Sequence, residues 1–243
     1  MRFRHALTAT YRGSIAFIVA CPLLALVPVA FELLQHAVEV RIGLYASPAA
    51  ARLHEHDAWR MGFGMVKVLA LVLPGYWIVR YLAWRDPARA VRADPHALRM
   101  FAGFVTVQLA VAAIQVFALP ANMAVTIAGF LVATGIGILM LAWGVAAVLG
   151  NAKVGPRASV AIMRRHVPWT FVFSLAAMLP LMVPHYAFAA LAILGPKRLL
   201  WTVLIADSLL VGWLAVVMQA SGYFAATRAA GKAGVALDAA EAG

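Results

Sequence analysis

The sequence predicts an all-α fold: a polytopic integral membrane protein built as a bundle of six transmembrane helices, with short interfacial helices in its cytoplasmic loops. Three observations predict it. The 243 residues are 65% hydrophobic and only 12% charged, against about 25% charged in an ordinary soluble domain. Apolar runs of about 20 residues, long enough to cross a bilayer, recur along the chain. The runs do not alternate: "FLVATGIGILMLAW" has no period of two, so a β-barrel is excluded and helices must satisfy the lipid-facing backbone.

Six spans follow, at about 14–38, 61–84, 98–119, 123–149, 168–194 and 199–226. Before them lies a basic arm, 1–13, carrying Arg2, Arg4 and Arg12; after them an Ala/Gly-rich stretch, 227–243, reads as a flexible tail. The first run has a basic start, but it is long and no A-x-A site follows, so it reads as a span rather than a cleaved signal. Pro22 and Pro28 in span one, Pro74 in span two and Pro180 and Pro184 in span five each remove a backbone donor and can kink a helix. Span four carries Gly129, Ala133 and Gly137 at four-residue intervals, a spacing that lets two helices approach closely. The short "PAN" link makes span three its expected antiparallel partner.

The net charge of +11 sits between the apolar runs, where it acts as a topology and lipid signal rather than a nucleic-acid footprint. Lys and Arg crowd the arm, the 2–3 loop, the 4–5 loop and the tail; the other side has Arg41, Arg52, Arg60, Lys197 and Arg198. By the positive-inside rule both termini face the cytoplasm, which places the chain in a bacterial-type inner (plasma) membrane. Trp59, Trp201 and Tyr45 then fall near one interface and Tyr11, Trp84 and Trp169 near the other. "RDPARAVRADP" and "PRASVAIMRRHVPW" read as surface helices that put Arg85, Arg89, Arg92, Arg164 and Arg165 against anionic lipid on the cytoplasmic face; the plainer reading is that these arginines only set orientation. Asp94–Pro95 reads as the N-cap and first-turn pair of span three.

The apolar runs also carry polar residues. In "PVAFELLQHAVEVR" a stripe of Glu32, Gln35, His36 and Glu39 appears at helical spacing. At 1.5 Å per residue Glu32 is about 27 Å into span one, while Lys67 is about 9 Å into span two and Asp207 about 12 Å into span six, both counted from the opposite face. His185 lies past the middle of span five, and Gln115 near the outer end of span three. Ionisable groups at depth cost about 2.5–3.5 kcal/mol each, a penalty lowered by a partner or by water. The expected result is an outward-facing polar pocket of Glu32, His36, Lys67, Gln115, His185 and Asp207. Each residue also has a plainer role: Lys67 can snorkel, Asp207 can form a structural ion pair with Lys67, and His185 can bond a carbonyl freed by Pro184.

No metal is expected. "LHEHDAW" holds ligand types in His54, Glu55, His56 and Asp57, and His54, His56 and Asp57 are where one would be sought, but no fixed spacing motif accompanies them. A bis-histidine haem between His36 and His185 is conceivable, yet no cofactor is predicted. Cys21 is the sole cysteine, so no internal disulfide forms. P-loop, G-x-S-x-G, Rossmann and zinc-finger patterns are all absent, and an enzymatic role is not expected. The reading is a carrier for a small polar or amphiphilic solute, with no nucleic-acid partner. The alternative is a non-catalytic envelope protein that organises lipid or partner membrane proteins.

Overall fold

The computed structural model describes residues 2–120 and 122–241. The chain is all-helical: α1 (Phe3–Ala20), α2 (Pro22–Arg41), α3 (Pro48–Leu53), α4 (Ala58–Val72), α5 (Gly75–Trp84), α6 (Pro87–Val91), α7 (Pro95–Ala113), α8 (Met123–Val148), α9 (Pro156–Met163), α10 (Val167–Leu194) and α11 (Leu200–Ala233). Six helical segments among the described residues are long and apolar enough to cross a membrane. Large apolar side chains including Val19, Leu23, Phe117, Phe130, Val132 and Val183 stand exposed on the flanks. Water would not tolerate so much apolar surface, whereas lipid does.

The helix α11 is the spine of the bundle. Both of its ends and its middle contribute buried residues, from Val203 and Asp207 to Ala229 and Ala230. The path of α1 and α2 runs antiparallel along it. Ala6 packs with Ala225, Trp213 Nε1 donates to Ser14 Oγ at 3.0 Å, and His36 meets Asp207 at 3.2 Å. Gly212 makes the closest passage possible, because a Cβ there would strike Val29 of α2. On the other flank Tyr11 donates to the Ala177 carbonyl of α10 at 2.7 Å.

Several boundaries differ from the sequence expectation, each for a local reason. The basic arm is not separate: α1 is helical from Phe3, with Ala6 and Thr10 buried. The break comes instead at Cys21 (φ −133°, ψ 56°), directly before Pro22; a residue preceding proline is pushed out of the α region. Span two is similarly split into α4 and α5 around Leu73 and Pro74. Pro180 and Pro184, by contrast, sit inside an unbroken α10. Asp94 caps α7, accepting from His96 N and Ala97 N, and the last turn of that segment loosens into a π-helix over Ile114–Ala118.

The tail expectation also needs correction over the described residues. Helix α11 runs on to Ala233, Leu237 is buried in the main core, and Trp84 Nε1 donates to Asp238 Oδ2 at 2.7 Å. Residues 242–243 of that tail, Met1 of the arm and Ala121 of the "PAN" link lie outside the described residues. Helices α7 and α8 do pack antiparallel: Leu119 lies by Gly129, Gln108 by Gly137 and Phe104 by Gly144. Tight approaches occur at Gly144, where the Phe104 ring lies 2.8 Å from the place a Cβ would occupy, and at Gly129 of the Gly129–Ala133–Gly137 stripe, where Leu119 comes closer still.

Candidate functional site

The polar stripe of α2 has a single cause and a single destination. Glu32, Gln35, His36 and Glu39 recur at three- and four-residue intervals, so they share one helix face. That face turns toward α4, α10 and α11, and all four residues are buried. Glu32 and Asp207 are each only 1% exposed. Carboxylates at that depth need partners, and the neighbouring helices supply them.

Lys67 of α4 places Nζ 2.6 Å from Glu32 Oε2; that oxygen accepts no properly angled hydrogen bond, so the contact is an ion pair. His185 of α10 brings Nδ1 to 2.7 Å from Asp207 Oδ1. Between these two pairs sits His36, with Nε2 3.2 Å from Asp207 Oδ2 and 3.6 Å from Glu32 Oε1. Its other nitrogen, Nδ1, lies 2.8 Å from the Tyr45 hydroxyl and 3.2 Å from Glu39 Oε2. Glu39 is tied further: Tyr45 donates to Oε2, and Gln35 Nε2 and Arg60 Nε donate to Oε1 at 3.1 and 3.0 Å.

A short segment roofs the cluster. Gly43 adopts a left-handed turn (φ 79°) that ends α2 and folds Tyr45 back over His36. Lys197 at the start of the last span donates to the Tyr45 carbonyl and, at 3.0 Å, to that of Ile193. Burial first, and the Glu39 carboxylate second, push the Tyr45 phenol up, so it remains a hydroxyl donor. The whole assembly has three carboxylates (Glu32, Glu39, Asp207) against two permanent cations (Lys67, Arg60). Lys197, held on the Tyr45 carbonyl, is a further cation beside them.

Five of the six residues assigned from sequence to a pocket therefore meet: Glu32, His36, Lys67, His185 and Asp207. They meet as a packed knot, with Lys67 and His185 the half-buried members. Gln115 is elsewhere. It lines a cavity of about 440 Å³ between α7, α8, α10 and α11, together with Gln108, Thr134, Ser174 and Ser221 on walls that include Val111, Phe130, Phe171 and Met178. None of the charged residues reaches that cavity.

Four members of the knot, Gln35, Glu39, Tyr45 and Arg60, lie outside the pocket expected from sequence. Gln35 and Glu39 were visible on the α2 stripe. Tyr45 and Arg60 reach the cluster only because loops fold back, and nothing in their local sequence announces it. The loop set His54, His56 and Asp57 does not assemble: Asp57 Oδ1 is occupied in capping α4, accepting from Trp59 N and Arg60 N at 2.9 and 3.4 Å.

The opposite end of the bundle handles charge differently. Arg80, 5% exposed, has no carboxylate partner among the described residues. Its guanidinium donates to the Tyr76 hydroxyl at 2.8 Å and the Val148 carbonyl at 3.3 Å, and lies 4.8 and 4.5 Å over the Tyr76 and Trp84 rings. Arg85, Arg89, Arg92, Arg164 and Arg165 are exposed around it. Arg85, Arg89 and Arg92 do not share the single helical face expected of "RDPARAVRADP", because Arg85 is left-handed and Arg92 extended at the two ends of the five-residue α6. Arg89 stacks on Trp84 at 4.0 Å. Arg164, Arg165, His166 and Lys232 line a basic concavity of about 400 Å³.

Comparison with known proteins adds no assignment: no protein-family model, curated protein or solved structure matches the chain.

Proposed function

We propose that the chain is an integral protein of a bacterial-type inner membrane, crossing it six times with both termini cytoplasmic, and that it carries a small amphiphilic solute. The observation that carries this reading is the 440 Å³ cavity. Its volume lies in the range of small-molecule sites, about 300–1,000 Å³. Its lining matches an amphiphile in kind: aliphatic and aromatic walls for an apolar body, and the amides of Gln108 and Gln115 with the Thr134 and Ser174 hydroxyls for a polar group. The sequence-derived pocket moves accordingly. The solute sits with Gln115, and the charged knot at the periplasmic end ties α2, α4, α10 and α11 together instead of binding cargo. The breaks before Pro22 and at Pro74 give α1–α2 and α4–α5 places to bend.

The orientation rests on the placement of Lys and Arg. It puts Arg85, Arg89, Arg92, Arg164 and Arg165 in the cytoplasm beside anionic headgroups. Cysteine accessibility at Ala88 and His56, in spheroplasts and in inverted vesicles, tests it: Ala88→Cys should react only from the cytoplasmic side and His56→Cys only from the periplasmic side.

The carrier reading is tested with purified protein in liposomes, screened for uptake of labelled amphiphiles. Thr134→Trp and Ser174→Trp fill the cavity and should abolish flux of any compound the unaltered protein moves. Flux that persists undiminished in both variants overturns the reading. A second reading, an envelope protein that organises lipid, is favoured by the basic concavity of Arg164, Arg165 and Lys232. It predicts an anionic lipid retained through purification and lost in Arg164→Gln/Arg165→Gln, with no flux of any solute.

A further inference from the structure

The hydrogen-bonding capacity of His36 leaves an unresolved demand at the centre of the charged knot. Tyr45 gives its hydroxyl hydrogen to Glu39, so it offers only lone pairs to the imidazole. Both oxygens beside His36 Nδ1, at 2.8 and 3.2 Å, are then acceptors, and Nδ1 carries the ring hydrogen. Nε2 faces Asp207 Oδ2 at 3.2 Å and Glu32 Oε1 at 3.6 Å. A lone pair aimed at two carboxylate oxygens is repulsive, so a cation belongs among these three atoms. A proton on Nε2 serves Asp207 alone, since 3.6 Å is beyond hydrogen-bond reach. A metal ion serves all three.

We propose that Glu32, His36 and Asp207 form a binding site for a divalent transition metal of the zinc class. The three ligand atoms lie within 4.8 Å of one another. A tetrahedral ion with bonds of about 2.0–2.1 Å spaces its ligands about 3.3–3.4 Å apart, and the observed separations of 3.2 and 3.6 Å bracket that value. Glu32 and His36 are four residues apart on α2, so one helix face presents both, while α11 brings Asp207 from across the bundle. The ligand set is one nitrogen and two oxygens with no thiolate, which suits Zn²⁺ or Co²⁺ over Cu⁺.

The outer partners strengthen the assignment. A metal-ligating histidine ordinarily donates its other N–H to a carboxylate, which fixes the tautomer and the ring; Glu39 stands in that place for His36. His185 holds the other oxygen of Asp207, and Lys67 the other oxygen of Glu32. Every ligand is thus oriented by a neighbour that does not itself point at the ion. Three protein ligands leave one coordination position for water or another small ligand. The site does not depend on what occupies the cavity.

The test uses the full chain without a histidine tag, stripped by chelator and titrated with Co²⁺ in detergent. One equivalent should survive desalting and show the visible bands of tetrahedral Co²⁺ with nitrogen and oxygen ligands. Asp207→Asn and His36→Gln should remove it. Glu39→Gln, which acts through His36, should weaken it about 10–100-fold, and His54→Gln/His56→Gln should leave it unchanged. Less than stoichiometric retention by the unaltered protein overturns the proposal, as does binding that is lost only in His54→Gln/His56→Gln. Should the ligand variants fail to fold, X-ray absorption of the unaltered Zn²⁺ complex decides: one imidazole with oxygen ligands upholds the site, and two or more imidazoles refute it.

Discussion

The charged knot and the cavity use opposite means to keep polar groups inside an apolar bundle. In the knot, ionisable side chains from α2, α4, α10 and α11 lie 2.6–3.6 Å apart and leave their carboxylates almost no exposed surface. In the cavity, neutral amides and hydroxyls stand apart around 440 Å³ of space. Charge cannot remain in a low-dielectric interior without a partner, whereas an amide or hydroxyl can wait for a ligand at a much smaller penalty. The difference teaches that the most polar part of the molecule is its tie, and that the moderately polar part is the place with room to bind.

Asp207→Ala should break the comparison most severely. It strips His185 of its carboxylate and leaves His36 Nε2 with Glu32 as its one acidic neighbour, at 3.6 Å. Removing one member of a buried ionic group costs about 3–5 kcal/mol, seen as a large fall in thermal unfolding temperature in detergent. A change below about 1 kcal/mol, the scale of an exposed pair, would mean that the knot contributes little to folding. Tyr45→Phe should come next. It deletes one hydroxyl and leaves Glu39 short of a donor, for about 1–3 kcal/mol in the same measurement, with the helix content by circular dichroism unchanged.

Arg80→Lys sharpens the contrast from the other end of the bundle. The ammonium keeps the charge but loses the flat stacking on Tyr76 and Trp84, and should cost about 0.5–2 kcal/mol. If it costs as much as Asp207→Ala, aromatic faces are as strong a support for buried charge as carboxylates are. The smallest stability effect belongs to Thr134→Trp, which projects into open space and should shift unfolding by under about 1 kcal/mol. Its effect on solute uptake should nevertheless be complete, so one variant separates holding the bundle together from binding within it.

The sequence by itself determined the helical class, the positions of the long apolar segments and the residues that must find company in the interior. Glu32, His36, Lys67, His185 and Asp207 were recognisable one at a time, because a charge within an apolar run is an energetic anomaly that composition reveals. The α7 cap at Asp94 was equally legible, since capping is settled within one turn. Only the tertiary structure decided which of these residues meet. The cavity that Gln115 lines with α8, α10 and α11, the fold-back that brings Tyr45 and Arg60 onto Glu39, and the anchoring of Leu237 and Asp238 beside Trp84 depend on contacts between residues far apart in the chain. Local periodicity fixes the face on which a side chain stands. The energy of packing that face against a distant helix fixes what it touches, and that energy is not written in either segment alone.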